Sequence, residues 1–166
     1  MKPIILIGMP GAGKSTAGRL IAEKTGMNFY DTDNIIEKSE NKSVNEIFEQ
    51  NGEKYFRKIE AEIIQKLPKS DCVISIGGGA FETPQTRELL LKNSLVIYLE
   101  ADPEIIYERI KNQTHRPLLL KNPQKKISEL LKKREKNYKL AHLTVMTDNK
   151  TTEQVAKEIL RCANLK

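Results

Sequence analysis

Eight residues near the start of the chain carry the most explicit chemistry: Gly8-Met9-Pro10-Gly11-Ala12-Gly13-Lys14-Ser15 fits G-x-x-x-x-G-K-[ST]. Glycines at these positions let backbone N–H groups turn toward phosphate oxygens, and the helix that follows presents its positive end to the same anion. Lys14 supplies a cation for the β and γ phosphates, and the Ser15 hydroxyl an oxygen for Mg²⁺. The expected ligand is a nucleoside triphosphate with Mg²⁺, contacted from Gly11, Ala12, Gly13, Lys14, Ser15 and Thr16. A guanine-reading N-K-x-D element is not found. The nearest string, Asn149-Lys150-Thr151-Thr152, lacks the aspartate, so adenine is the expected base.

Further along, Asp31-Thr32-Asp33 and Gly77-Gly78-Gly79 each follow a short apolar run. Two carboxylates two residues apart at a strand end can serve a hydrated metal and a substrate hydroxyl; equally, Asp33 can cap the next helix. Three glycines in a row leave the main chain open to a ligand, or form a flexible turn. Arg134 falls on the apolar stripe of its helix with Ile127, Leu131, Tyr138 and Ala141, and an inward guanidinium needs an anion. Arg57 lies off its helix stripe with Glu53 and Glu60 at helical spacing, which fits a local ion pair or a share in carboxylate recognition. Arg116, beside Pro117, could swing over transferring phosphates or be a solvated loop residue. His115 and His142 have no evident partner.

These residues need elements to hold them. Short aliphatic runs at 3–7, 28–30, 72–76, 95–99 and 143–146 alternate with helical periodicity, beginning with the segment at 16–24. Such alternation predicts a parallel sheet covered by helices on both faces, with ligands at the carboxyl ends of the strands. Ser43 with Glu46 reads as a capping box, and Asp102-Pro103 as a cap followed by an N1 proline. Behind Ser43, Val44, Ile47, Phe48, Tyr55, Ile59 and Ile63 predict one core face. Residues 111–126 fit neither period and are expected to form a lid.

The length of 166 residues predicts one domain. No apolar run approaches a membrane span, and the product is expected in the cytoplasm. Cys72 and Cys162 suggest neither zinc nor a disulfide framework. The net charge of +6 suits phosphate ligands as well as nucleic acid, but with no Trp and 5% aromatics a base-stacking platform is poorly supplied.

Taken together, the chain resembles the shikimate kinases over essentially its whole length. The likeness rests on the phosphate loop, Asp31-Thr32-Asp33, Phe56-Arg57 followed by Glu60, Gly77-Gly78-Gly79, Arg116-Pro117-Leu118-Leu119, and Arg134 four residues before Tyr138. The resemblance implies an α/β, three-layer P-loop kinase fold with a five-stranded parallel sheet, a helical substrate-binding region at about 33–62 and a lid at about 111–126. It also implies ATP:shikimate 3-phosphotransferase activity in the chorismate pathway, by a monomer with no nucleic-acid or membrane partner. On that likeness Asp33 binds the ring hydroxyls and helps orient or deprotonate one, and Arg57 and Arg134 hold the carboxylate. Gly78 lends an amide between Gly77 and Gly79, and Asp31 stands near the magnesium. Arg116 meets the phosphates from the lid, and Arg109 lies near the adenine. Where family members often carry arginine after the last strand, this chain has Asn149-Lys150, which makes Lys150 the candidate nucleotide contact there. The competing readings are another small-metabolite kinase, such as one for gluconate, and a nucleotide-dependent switch module.

Overall fold

A computed structural model describes residues 1–111 and 122–165. Five strands, β1 (Ile4–Ile7), β2 (Asn28–Asp31), β3 (Cys72–Ser75), β4 (Leu95–Glu100) and β5 (Leu143–Met146), form one sheet in the order β2-β3-β1-β4-β5. Every pairing is parallel: Ile5 faces Ile74 on one side and Val96 on the other. The predicted strands are therefore all present, with ends displaced by a residue or so.

Parallel strands buried on both faces need apolar residues at successive positions, and β1 reads Ile-Ile-Leu-Ile, all buried. Because alternate side chains point to opposite faces, this one strand feeds two cores. Ile4 and Leu6 pack with α1 (Lys14–Thr25) and the last helix, Thr152–Cys162. Ile5 and Ile7 pack on the other face with α4 (Pro84–Asn93), α5 (Pro103–Ile110), α6 (Pro123–Tyr138) and the end of α3 (Val44–Lys66). A third cluster, Ile36, Ile47 and Phe56, joins α2 (Thr32–Glu40) to α3 at the edge beyond β2. No helix among the described residues is long and apolar enough to cross a membrane.

Local signals explain most boundaries. Ser43 and Glu46 form the reciprocal capping box at α3, and Asp102 caps α5 ahead of Pro103. Two expectations are corrected. The face of α3 does not run through Tyr55, which is 39% exposed, but through Phe56, at 3%. The cause is Gly52, whose φ of 81° and ψ of 171° break the helix and restart it with a new phase. The expected lid also reaches too far, because α6 begins at Pro123, so 123–126 form its first turn. The rest of that segment, 112–121, with Arg116, Thr114, His115 and the string that follows, lies outside the described residues.

Candidate active site

The phosphate loop leaves the carboxyl end of β1 and turns into α1. Two of its glycines are required sterically as well as conformationally. A methyl group at Gly8 (φ 144°) would stand 2.6 Å from the Leu99 carbonyl oxygen, and one at Gly11 (φ 82°) 2.6 Å from Ile110 Cγ2. The loop thus packs closely against the end of β4 at Gly8 and against α5 at Gly11. Lys14 Nζ donates to the carbonyls of Gly8 and Met9, each at 3.1 Å, which holds the ammonium over the loop. Ser15 Oγ donates to Asp31 Oδ2 at 2.6 Å and lies 3.3 Å from Ser75 Oγ.

Beside the loop opens a cavity of about 440 Å³ lined by Gly13, Lys14, Thr16, Arg109, Thr147 and Lys150, among others. Arg109 reaches it from α5, with Nη1 donating to Thr147 Oγ1 and Nη2 to the Thr147 carbonyl, both at 3.0 Å. Lys150 lines the wall, but its ammonium donates to Glu158 Oε2 at 2.6 Å. Thr147, unremarked in the sequence, positions Arg109; a lone threonine one residue past a strand carries no signal for that.

On the other side of β1 the acceptor candidates converge. Asp31, not Asp33, caps α2, its Oδ1 accepting from the Asp33 and Asn34 amides. Asp33 is thereby released from the capping role and stands against the glycine turn. A methyl at Gly77 would lie 2.5 Å from Glu60 Oε1 and 3.0 Å from Asp33 Oδ1. One at Gly78 would lie 3.0 Å from Arg134 Nη1, 3.0 Å from the Tyr138 hydroxyl and 2.9 Å from the Gly8 carbonyl, and one at Gly79 would overlap the Arg57 guanidinium. The three glycines are thus the floor on which two carboxylates and two guanidiniums meet, and that floor abuts the phosphate loop. Thr32, also missed in the sequence, secures it: the Gly77 N–H donates to Thr32 Oγ1 at 3.1 Å, and Thr32 Oγ1 donates to the Ser75 carbonyl.

Arg57 makes the local ion pair that helical spacing offered. Its Nη1 donates to Glu60 Oε2 at 2.6 Å, with Glu53 3.4 Å away, and the guanidinium still faces Gly79. Glu60 is 1% exposed, and its other oxygen, Oε1, makes no hydrogen bond among the described residues. Burial raises its pKa to about 7 despite the attraction of Arg57, and nearby Asp33 pushes the same way. The buried Tyr138 phenol rises to about 12, again through burial, with Arg134 acting in the opposite direction. His142, for which the sequence shows no evident partner, accepts the Val96 N–H on Nδ1 at 3.0 Å and ties β5 to β4. Both cysteines are free thiols, Cys72 buried and Cys162 exposed.

A phosphate loop beside a cluster of two arginines and two carboxylates, all at the carboxyl ends of the strands, suits phosphoryl transfer to a small anion. The family model for shikimate kinase matches residues 10–164. The chain belongs to the shikimate kinase family. It is 44% identical to a shikimate kinase of Caldanaerobacter subterraneus subsp. tengcongensis over 97% of this chain and 95% of that one. Among solved structures, a shikimate kinase from Acinetobacter baumannii in complex with shikimate superposes with a TM-score of 0.94 at 35% identity, covering 99% of this chain and 93% of the other. A gluconokinase from Sinorhizobium meliloti 1021 shares the fold at a TM-score of 0.58 and 19% identity, covering 96% and 90% of the two chains. The competing metabolite-kinase reading therefore has fold likeness on its side and no more.

Proposed function

We propose that the chain transfers the γ-phosphoryl group of ATP to the 3-hydroxyl of shikimate, giving 3-phosphoshikimate and ADP. The observation that carries this reading is the seating of Arg134 and Arg57 on adjacent glycines, Gly78 and Gly79, beside Asp33 and within reach of the phosphate loop. Two forked guanidiniums on one floor recognise a planar carboxylate in a way that lysines cannot. Asp33 then faces the ring hydroxyls, orienting the attacking one and able to accept its proton. Lys14 serves the β and γ phosphates, Arg109 the base side of the cavity with Lys150 at its rim, and Arg116 the transferring group. Such a division of labour fits a reaction catalysed chiefly by positioning and charge.

Magnesium suits the donor set. Ser15 Oγ and Asp31 Oδ2 are hard oxygens 2.6 Å apart beside the phosphate loop, and no group of three or more His, Cys, Asp or Glu among the described residues forms an all-protein cage. That is the pattern of an ion held by one or two protein oxygens with the rest from phosphates and water. When bound, it would neutralise phosphate charge, while Ser15 and Asp31 would fix it at the end of β1 and β2.

A coupled assay of ADP release across shikimate, gluconate and nucleoside monophosphates tests the reading. Shikimate should stimulate release strongly and the others should not; equal turnover of gluconate would sink the substrate assignment.

A further inference from the structure

Tyr138 closes α6 with its ring fully buried and its hydroxyl at the acceptor floor. The hydroxyl donates to the Gly78 carbonyl at 2.5 Å. Its oxygen and Arg134 Nη1 both lie 3.0 Å from the point where a Gly78 Cβ would stand, so residues four apart on one helix face close on the same glycine. The phenol is neutral at physiological pH, burial raising it to about 12 while nearby Arg134 acts in the opposite direction. Its single proton goes to Gly78, leaving the oxygen lone pairs to a cation, and Arg134 is the guanidinium that stands on the same glycine. Arg134 and Tyr138 thus converge on Gly78, with the hydroxyl bonded to its carbonyl.

The consequence lies in the peptide plane. A trans peptide is rigid, and its C=O and N–H point to opposite edges, so holding the Gly78 carbonyl toward Tyr138 aims the Gly79 N–H the other way. Neither the Gly78 nor the Gly79 N–H donates to a described residue, which leaves both available to a ligand. Glycine would otherwise let this plane rotate freely. The ring cannot drift, since it packs on Tyr98 of β4 with centroids 5.0 Å apart, and the neighbouring Asn137 latches α6 to the same turn through Glu82 Oε1 at 3.1 Å.

We propose that the Tyr138 hydroxyl is a positioning group for the acceptor site, holding Arg134 and the Gly78–Gly79 peptide in the arrangement in which they meet a substrate carboxylate. The inference rests on the shikimate reading above. The test is Tyr138→Phe, which keeps the ring against Tyr98 and removes only the hydroxyl, beside Asn137→Ala, which cuts the neighbouring latch without touching Arg134. Shikimate KM, calorimetric shikimate Kd, ATP KM and kcat are measured for each, together with the preference for shikimate over its methyl ester. Tyr138→Phe should raise shikimate KM and Kd by about fivefold to tenfold, change kcat far less, and leave ATP KM alone. The preference for the acid over the ester should narrow by a similar factor, whereas Asn137→Ala should leave that preference unchanged. Equal weakening of acid and ester, an equal effect of Asn137→Ala, unchanged shikimate KM, or failure of Tyr138→Phe to fold would each overturn the proposal. A wild-type enzyme inactive on shikimate would instead sink the underlying reading, and this inference with it.

Discussion

The two halves of the site are built in opposite ways. The proposed nucleotide half is centred on one continuous stretch, Gly8 to Thr16, fixed by a strand, a turn and a helix, with Arg109, Thr147 and Lys150 completing the cavity wall. The proposed acceptor half draws Asp33 from α2, Arg57 and Glu60 from α3, the glycines from the end of β3, and Arg134 and Tyr138 from α6. A phosphate chain is the same in every nucleotide, so a contiguous motif can serve it in many proteins. A particular ring acid needs charges at separated points in space, and only a folded chain brings those together. The acceptor half consequently holds the buried charge, Glu60 and its Arg57 pair, with the energetic exposure that goes with it.

The largest effect that separates the halves should come from Lys14→Met. Removing the cation from the phosphates should lower kcat by at least about two orders of magnitude, with little change in melting temperature, because Lys14, the first residue of α1, belongs to no apolar cluster. Turnover close to wild type would remove Lys14 from the mechanism.

Next comes the stability cost lodged in the acceptor half. The folded pKa of Glu60, about 7, stands above its ordinary value of 4.5. Below about pH 4.5 the residue is protonated in both folded and unfolded chains. Between there and pH 7 only the unfolded chain ionises, so wild type loses stability relative to Glu60→Gln as pH rises, and the difference is flat above pH 7. The loss is on the order of 3 kcal/mol, read as the pH dependence of the difference in melting temperature. A difference constant across that window would show that burial does not control Glu60.

Arg134→Ala should weaken shikimate binding by about 2 kcal/mol, or about thirtyfold, while ATP affinity and melting temperature hardly move. A large fall in melting temperature with shikimate affinity intact would make Arg134 a structural partner of the fold. The smallest effect is expected at the rim of the nucleotide half. Lys150→Ala should raise ATP KM by about twofold or less, since a surface ion pair with Glu158 already occupies the ammonium. A tenfold rise would mean that Lys150 leaves Glu158 for the nucleotide.

Local order alone is enough for the phosphate loop, the strand–helix alternation, the capping box at Ser43 and the cap at Asp102. Each is decided within a few residues by hydrogen bonds and steric limits that a neighbouring element does not overrule. The tertiary structure decided the rest. Asp31 rather than Asp33 became the cap because α2 starts at Thr32, directly after β2, and that early start freed Asp33 for the glycine floor. Gly52 turned Phe56 inward and Tyr55 out, where unbroken periodicity pointed the other way. Glu60 and Tyr138 stand at helical spacings that any surface or core residue might share; their chemistry comes from burial against Gly77 and Gly78, far from both in sequence. Desolvation and convergence of charge are properties of a volume, and a volume exists only once the chain has folded.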